Sequence, residues 1–135
     1  MPPYSSSTPL CTTATLAITV DDVAPRANDD IASMDEDTIL TYNPLENDTD
    51  PNSDIDPASL MLIDPTDLTG ATLTTSVTLS SGTISLNPLL DGTLIFTPNP
   101  DYNGPMVVSY KVCDQTSTIP ICDTATVTMT VNQIN

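Results

Sequence analysis

A short acidic run places oxygen-bearing side chains at alternate positions. Asp48, Asp50, Asn52 and Asp54 lie two residues apart, and Asp56 closes the run. Alternate side chains of a tight turn converge on one centre, and a calcium ion needs such convergence because it takes about six to eight oxygen ligands. The run lacks the glycine and the final glutamate of an EF-hand loop. It therefore predicts a calcium site of another kind.

Further acidic residues surround this run. Ten of the eighteen Asp and Glu residues lie between positions 29 and 56, whereas the only basic side chains are Arg26 and Lys111, and the formal net charge is −16. Clustered carboxylates repel one another, and a divalent cation relieves that repulsion. The alternative is that these side chains only cap turns and keep the protein soluble. The candidate Ca²⁺ ligands are Asp29, Asp30, Asp35, Glu36, Asp37, Asp48, Asp50, Asn52, Asp54 and Asp56.

The composition argues against several other functions. Nucleic acids and anionic membranes are bound through Lys and Arg, of which the chain has two. There is no histidine to act as a general base and no nucleophile motif, so the sequence does not predict an enzyme. No apolar stretch approaches the roughly 20 residues that cross a bilayer. We therefore expect no nucleic-acid partner and no direct membrane insertion.

The two ends of the chain repeat each other. Residues 5–22 align without gaps onto residues 116–133, an offset of 116 − 5 = 111, and eight of the eighteen positions are identical. A period of this length is that of a whole sandwich domain. We therefore predict that residues 1–22 are the terminal strand of a preceding repeat plus a linker, and that residues 23–135 are one complete repeat. The alternative is two similar strands within one domain.

Several segments alternate apolar and polar residues with the two-residue period of half-buried strands. The clearest are 106–113, with Val108, Tyr110 and Val112 on one face, and 123–131. Asp91-Gly92 indicates a hairpin turn. No segment has a helical period. About seven short strands with frequent turns predict an all-β Greek-key β-sandwich; the other strands are expected at 38–43, 59–64, 71–79, 82–87 and 92–97.

Three cysteines bear on the cellular compartment. Cys113 and Cys122 bracket a short loop between two predicted neighbouring strands, where a disulfide is geometrically plausible. Such a bond indicates an oxidising compartment outside the cytoplasm. Cys11 is left over, since the position equivalent to Cys113 is Pro2, so we expect that its partner belongs to the preceding repeat. The alternative is three reduced cysteines.

Short motifs occur in the same order as in a known family. The chain resembles the cadherin-like or immunoglobulin-like tandem repeats of large bacterial surface adhesins, and its paired cysteines are similar to those of gliding bacteria with type IX secretion. The resemblance implies an immunoglobulin- or cadherin-like sandwich that binds calcium at its poles. Segment 64–81 departs from the family in its length and its threonine content. The motifs that carry the resemblance include Ala27-Asn28-Asp29-Asp30, Leu45-Glu46-Asn47-Asp48, Asp101-Tyr102-Asn103-Gly104 and Cys122-Asp123-Thr124-Ala125.

These observations predict a structural function. We expect a non-catalytic spacer or adhesion repeat on the bacterial cell surface, rigidified by calcium and in contact with neighbouring repeats of the same chain. The alternative is a module that binds polysaccharide or protein, with Tyr4, Tyr42 and Tyr102 as candidate sugar-stacking rings. Strand 12–20 lacks its own sheet, so we also expect possible self-association by strand addition.

Overall fold

Two packed β-sheets make up the computed structural model, which describes residues 9–19, 21–115 and 119–134. The five-stranded sheet has the order β1-β9-β8-β3-β4, and the four-stranded sheet has the order β2-β7-β6-β5. No helix in these residues is long and apolar enough to cross a membrane. The strands are β1 (Asp30–Asp35), β2 (Leu40–Tyr42), β3 (Ile55–Ile63), β4 (Leu73–Thr74), β5 (Ser76–Leu79), β6 (Gly82–Leu86), β7 (Leu94–Pro98), β8 (Gly104–Asp114) and β9 (Cys122–Asn132).

This architecture confirms the predicted all-β sandwich but has nine strands in the described residues, not about seven. The predicted strand at 71–79 is two strands, β4 and β5, which belong to different sheets. The strand β1 was not predicted, because only Ala32 and Met34 provide apolar side chains on its inner face. An acidic residue at each end of β1 makes the alternation of apolar and polar residues harder to detect in the sequence.

The core is built on β8 and β9, the two longest strands. They pair in antiparallel fashion from Gly104 opposite Val131 to Cys113 opposite Cys122. The predicted inward residues of both strands are buried, which confirms the alternation found in the sequence. Each fully buried aliphatic side chain of this kind contributes about 1.5–3 kcal/mol. The two strands therefore form the rigid frame on which the adjoining loops are held.

The two ends of the sandwich carry different acidic groups. Strand β1 runs parallel to β9, with Asp30 opposite Val127 and Asp35 opposite Asn132. At roughly 3.3 Å per residue, these two acids are about 17 Å apart along the sheet. The disulfide between Cys113 and Cys122 is formed, as predicted, and lies at the end nearer Asp30. That end is called the linker pole below, because residues 21–29 run across it.

Candidate metal centre

Three carboxylates from distant parts of the chain meet at the linker pole. Asp22 precedes β1, Asp54 precedes β3, and Asp114 ends β8. One oxygen from each lies within 4.8 Å of the other two. Two ligands of one calcium ion, each about 2.4 Å from it, are at most about 4.8 Å apart. The spacing of the three carboxylates therefore fits a single bound calcium ion.

Strand pairing brings two of these carboxylates together. Ile55 lies opposite Asp114 in the antiparallel pair β3–β8, so the residue before β3 is placed beside the end of β8. The backbone N–H of Gln115 donates to the carbonyl oxygen of Asp54 at 2.8 Å. The N–H of Ile121 donates to Oδ1 of Asp114 at 3.0 Å and orients that carboxylate.

The linker reaches the same centre through an amide side chain. Oδ1 of Asn52 accepts a hydrogen bond from the backbone N–H of Val23 at 2.9 Å. The N–H of Asn52 in turn donates to Oδ1 of Asp50 at 2.8 Å. This chain of contacts holds Asp22, the residue before Val23, against the loop that carries Asp50 and Asp54.

Two oxygens in this centre favour a cation. Oδ2 of Asp50 and Oδ1 of Asp54 are buried, and neither has a hydrogen-bond donor. Desolvation raises the pKa of Asp54, and so do the close approach of the Asp50 carboxylate and the negative charges of Asp22 and Asp114. Buried polar atoms are normally satisfied, and a calcium ion held by Asp54 would offset the repulsion between these carboxylates. The donor set, which consists of hard oxygens, fits this metal.

The structure brings three of the predicted ligands together and places two further carboxylates, those of Asp22 and Asp114, beside Asp54. Asp50, Asn52 and Asp54 lie together, as their alternate spacing suggested. Neither Asp22 nor Asp114 was among the candidate ligands. A signal for Asp114 was present, because it continues the inward-facing register of Val108, Tyr110 and Val112 on β8. A carboxylate at an inward position indicates a binding or paired role.

Asp48 has a structural role in the fold. Its Oδ2 accepts a hydrogen bond from the hydroxyl of Tyr110 at 2.7 Å, and its Oδ1 accepts one from the N–H of Asn28 at 2.8 Å. Burial raises the pKa of the Tyr110 hydroxyl, with the hydrogen bond to Asp48 as the second cause. The tyrosine therefore keeps its proton and acts as the donor. This contact ties the acidic loop to the centre of β8.

Tyr110→Phe is expected to lower the free energy of unfolding by about 1–2 kcal/mol, because it leaves a buried oxygen of Asp48 without its donor. The matched control is Tyr102→Phe, which removes an exposed hydrogen bond to the carbonyl oxygen of Pro105. That variant is expected to lose less than about 1 kcal/mol. Urea unfolding measures both. If both variants lost the same unfolding free energy, the Tyr110–Asp48 hydrogen bond would have no special role.

Asp29 and Asp30 also lie near this pole without joining the three-carboxylate centre. Oδ1 of Asp29 accepts a hydrogen bond from the N–H of Thr126 at 2.9 Å, which ties the segment before β1 to β9. Asp30 is only 5 % exposed, and its Oδ2 has no donor. Burial, followed by the charge of Asp48, raises the pKa of Asp30 to about 6. Its ionised form is therefore a cost to the folded state at neutral pH.

Asp30→Asn is expected to stabilise the protein at pH 7 by about 1–2 kcal/mol, because the amide carries no charge to desolvate. The folded-state pKa lies above the unfolded value of 3.8, so the wild type gains stability as pH falls through about 6. The gain from the substitution should therefore shrink and vanish below about pH 4. Thermal unfolding of both proteins between pH 4 and pH 7.5 measures this. A gain that does not change with pH would contradict it.

The remaining predicted ligands lie elsewhere. Asp35, Glu36 and Asp37 are at the opposite end of β1, so the two acidic runs that flank this strand do not share one pole. Oε1 of Glu36 accepts a hydrogen bond from the N–H of Ile134 at 2.9 Å, and Oδ1 of Asp37 accepts one from Asp101 at 2.9 Å. Oδ1 of Asp56, within β3, accepts one from the N–H of the nearby Ala58.

Two of the three tyrosines considered for sugar stacking, Tyr42 and Tyr102, pack within the fold. The ring of Tyr42 meets Phe96 edge to face, with centroids 6.4 Å apart. Tyr102 packs against the core, and its hydroxyl donates to Pro105. Tyr4 lies outside the described residues. The described residues therefore offer no observation that favours the polysaccharide hypothesis.

Comparison with known proteins gives one match. The family model described as the bacterial cadherin-like domain matches residues 21–133. No curated protein and no solved structure matches the chain. Domains of the matched family are typically extracellular and generally non-catalytic, and they generally bind calcium. The match begins at the linker, one residue before Asp22.

Proposed function

Because the chain belongs to the bacterial cadherin-like domain family, we propose that it is a calcium-stiffened repeat of a cell-surface adhesion protein. In this role it is a non-catalytic spacer between neighbouring repeats. The observation that carries the proposal is the meeting of Asp22, Asp54 and Asp114. One of these carboxylates belongs to the linker and two belong to the sandwich. An ion held by all three would fasten the linker to the sandwich.

The protein positions the linker before any ion arrives. Asn52 holds the N–H of Val23, and the disulfide-closed end of β8 holds Asp114. What calcium supplies is positive charge and a shared bonding centre for the carboxylates. Calcium would offset the repulsion between the carboxylates of Asp50 and Asp54 and so strengthen the hold of this loop on the linker. Rigidity of the junction would thus depend on the calcium concentration outside the cell.

Calcium is expected to stabilise the protein against heat. Extracellular calcium modules bind with dissociation constants of about 10⁻⁴–10⁻³ M. At 10 mM calcium, a single site of this affinity adds about 1.4–2.7 kcal/mol to the free energy of unfolding. This corresponds to a rise in Tm of roughly 5–15 °C for a domain of this size. Differential scanning calorimetry with calcium and then with a chelator measures the rise and its reversal.

A pair of matched variants locates the effect. Asp54→Asn is expected to abolish most of the calcium-induced rise and to raise Tm slightly in chelator, because it removes one of the repelling charges. Asp64→Asn makes the same change beyond the far end of β3, where the amide can still accept the hydrogen bonds of Thr66. That control is expected to keep the full calcium response. An equal calcium-induced rise in Tm in the two variants, or no rise in the wild type, would contradict the proposed site.

A further inference from the structure

Residues 9–19 form an apolar, uncharged segment that covers nothing in this structure. Every residue from Pro9 to Thr19 is exposed, and the segment belongs to neither sheet. Leu16 is 82 % exposed and Ile18 is 74 % exposed. A run of exposed apolar side chains marks an interaction surface. The segment also carries Cys11, which is free and exposed.

The identity of the missing partner follows from the 111-residue repeat. Residues 9–19 correspond to 120–130, most of which form β9. The equivalents of Ala14, Leu16 and Ile18 in β9 are 7 %, 0 % and 0 % exposed, because they fill the core of the sandwich. The equivalent of Cys11 is Cys122, which lies directly opposite its disulfide partner on β8. The segment thus has the pattern of a core strand but lacks a sandwich around it.

We propose that residues 9–19 are the last strand of a second sandwich, the preceding repeat, and that Cys11 forms a disulfide with a cysteine of that repeat. This inference rests on the tandem-repeat function proposed above. The partner is a cadherin-like sandwich that contributes a β8-type strand on one side of the segment and a β1-type strand on the other. Its cysteine is the residue equivalent to Cys113. The family match, which starts at residue 21, leaves the segment outside this repeat.

The same equivalence places the junction between repeats at the metal centre. Strand β9 ends at Asn132, whose equivalent is Asp21. The proposed strand, residues 9–19, therefore ends three residues before Asp22, a residue of the candidate metal centre. Docking of the strand into the preceding sandwich would fix one end of the linker, and the ion would fix the other. Almost no free chain would remain between the two repeats.

A tandem protein tests this assignment. Residues 23–115 are joined directly to residues 5–135, so that residues 5–22 take the place of 116–133 in the first sandwich. The expected result is two folded units with Cys11 bonded to the Cys113 of the first unit, found by peptide mapping. Alkylation should then label no thiol in the tandem and one thiol, Cys11, in the single chain. Leu16→Asp in the tandem should expose Cys11 again.

A second tandem, residues 23–133 joined to residues 23–135, carries the native strand in both units and serves as the control. The proposal is overturned when this control folds without free thiols and the first tandem still exposes Cys11. It is also overturned when the single chain alone protects Cys11 by self-association through residues 9–19. Calcium binding measured on the single chain and on the first tandem, both of which retain Asp22, reports the metal centre separately. Failure of the strand assignment is thereby distinguished from failure of the proposed function.

A transplant within the full chain keeps the test decisive when neither tandem folds. The sequence of residues 9–19 replaces that of residues 120–130, which requires five substitutions. The expected protein is folded and retains the Cys113–Cys122 disulfide, because the new side chains occupy the same core positions. Loss of the folded state or of the disulfide would overturn the proposal. The substitutions are Ile121→Leu, Asp123→Thr, Val127→Leu, Thr128→Ala and Met129→Ile.

Discussion

Replacing Cys113 and Cys122 together by serine is expected to lower the free energy of unfolding by about 2–3 kcal/mol and to weaken calcium binding about tenfold. The first effect is the loop-closure entropy that a bond across a loop of about ten residues removes from the unfolded chain. The second arises because Asp114 directly follows Cys113 and accepts a hydrogen bond from Ile121, just before Cys122. Opening the loop loosens this support, and the loss of such supporting contacts commonly costs about 10–100-fold in metal affinity.

The two effects are separated by two measurements on the same variant. Urea unfolding in chelator reports the stability, and a calcium titration followed by calorimetry reports the affinity. Cys11→Ser is the control, since it removes a thiol without touching the bond, and it is expected to leave both quantities unchanged. A variant that loses stability but keeps full calcium affinity would show that the disulfide only cross-links β8 and β9. Asp114 would then be held by strand pairing alone.

Gly82→Ala is expected to lower the free energy of unfolding by about 3 kcal/mol or more. Gly82 has a φ of 149°, a conformation that side chains of L-residues rarely adopt. A Cβ at this position would collide with the carbonyl oxygen of Thr97 and lie 2.7 Å from Cα of Pro98. Both contacts are with the backbone of β7, which cannot move without breaking the β6–β7 pairing. Overpacking and an unfavourable backbone conformation therefore act together.

A second glycine separates these two causes. Gly70 has a φ of 72°, and a Cβ there would meet no heavy atom within 4 Å. Gly70→Ala introduces only an unfavourable backbone conformation. It is expected to lower the free energy of unfolding by about 1 kcal/mol. Urea unfolding of both variants measures the difference. Losses of equal size would mean that backbone conformation, and not close packing of β6 on β7, sets the requirement for glycine at position 82.

Much of the sandwich could be predicted from the order of its residues. The alternation around Tyr110 and Val127 was strong because β8 and β9 are long and one face of each is fully buried. Strand β1 was missed because its place in the sheet comes from parallel pairing with β9, about 100 residues away. Its own side chains show little contrast between the two faces. The split of β4 from β5 was missed for a related reason, since the change of sheet occurs at Thr75 without a glycine or proline to mark it.

For the acidic run that first suggested calcium chemistry, the sequence likewise predicted part of the arrangement and the tertiary structure decided the rest. The sequence by itself predicted that Asp50, Asn52 and Asp54 lie close together, because alternate side chains of a tight turn converge on one centre. Only the tertiary structure decided that Asp22 and Asp114 approach Asp54 and that Asp48 accepts a hydrogen bond from Tyr110. The physical reason is distance along the chain. Asp54 and Asp114 are 60 residues apart (114 − 54), and only the register of β3 on β8 brings their carboxylates together.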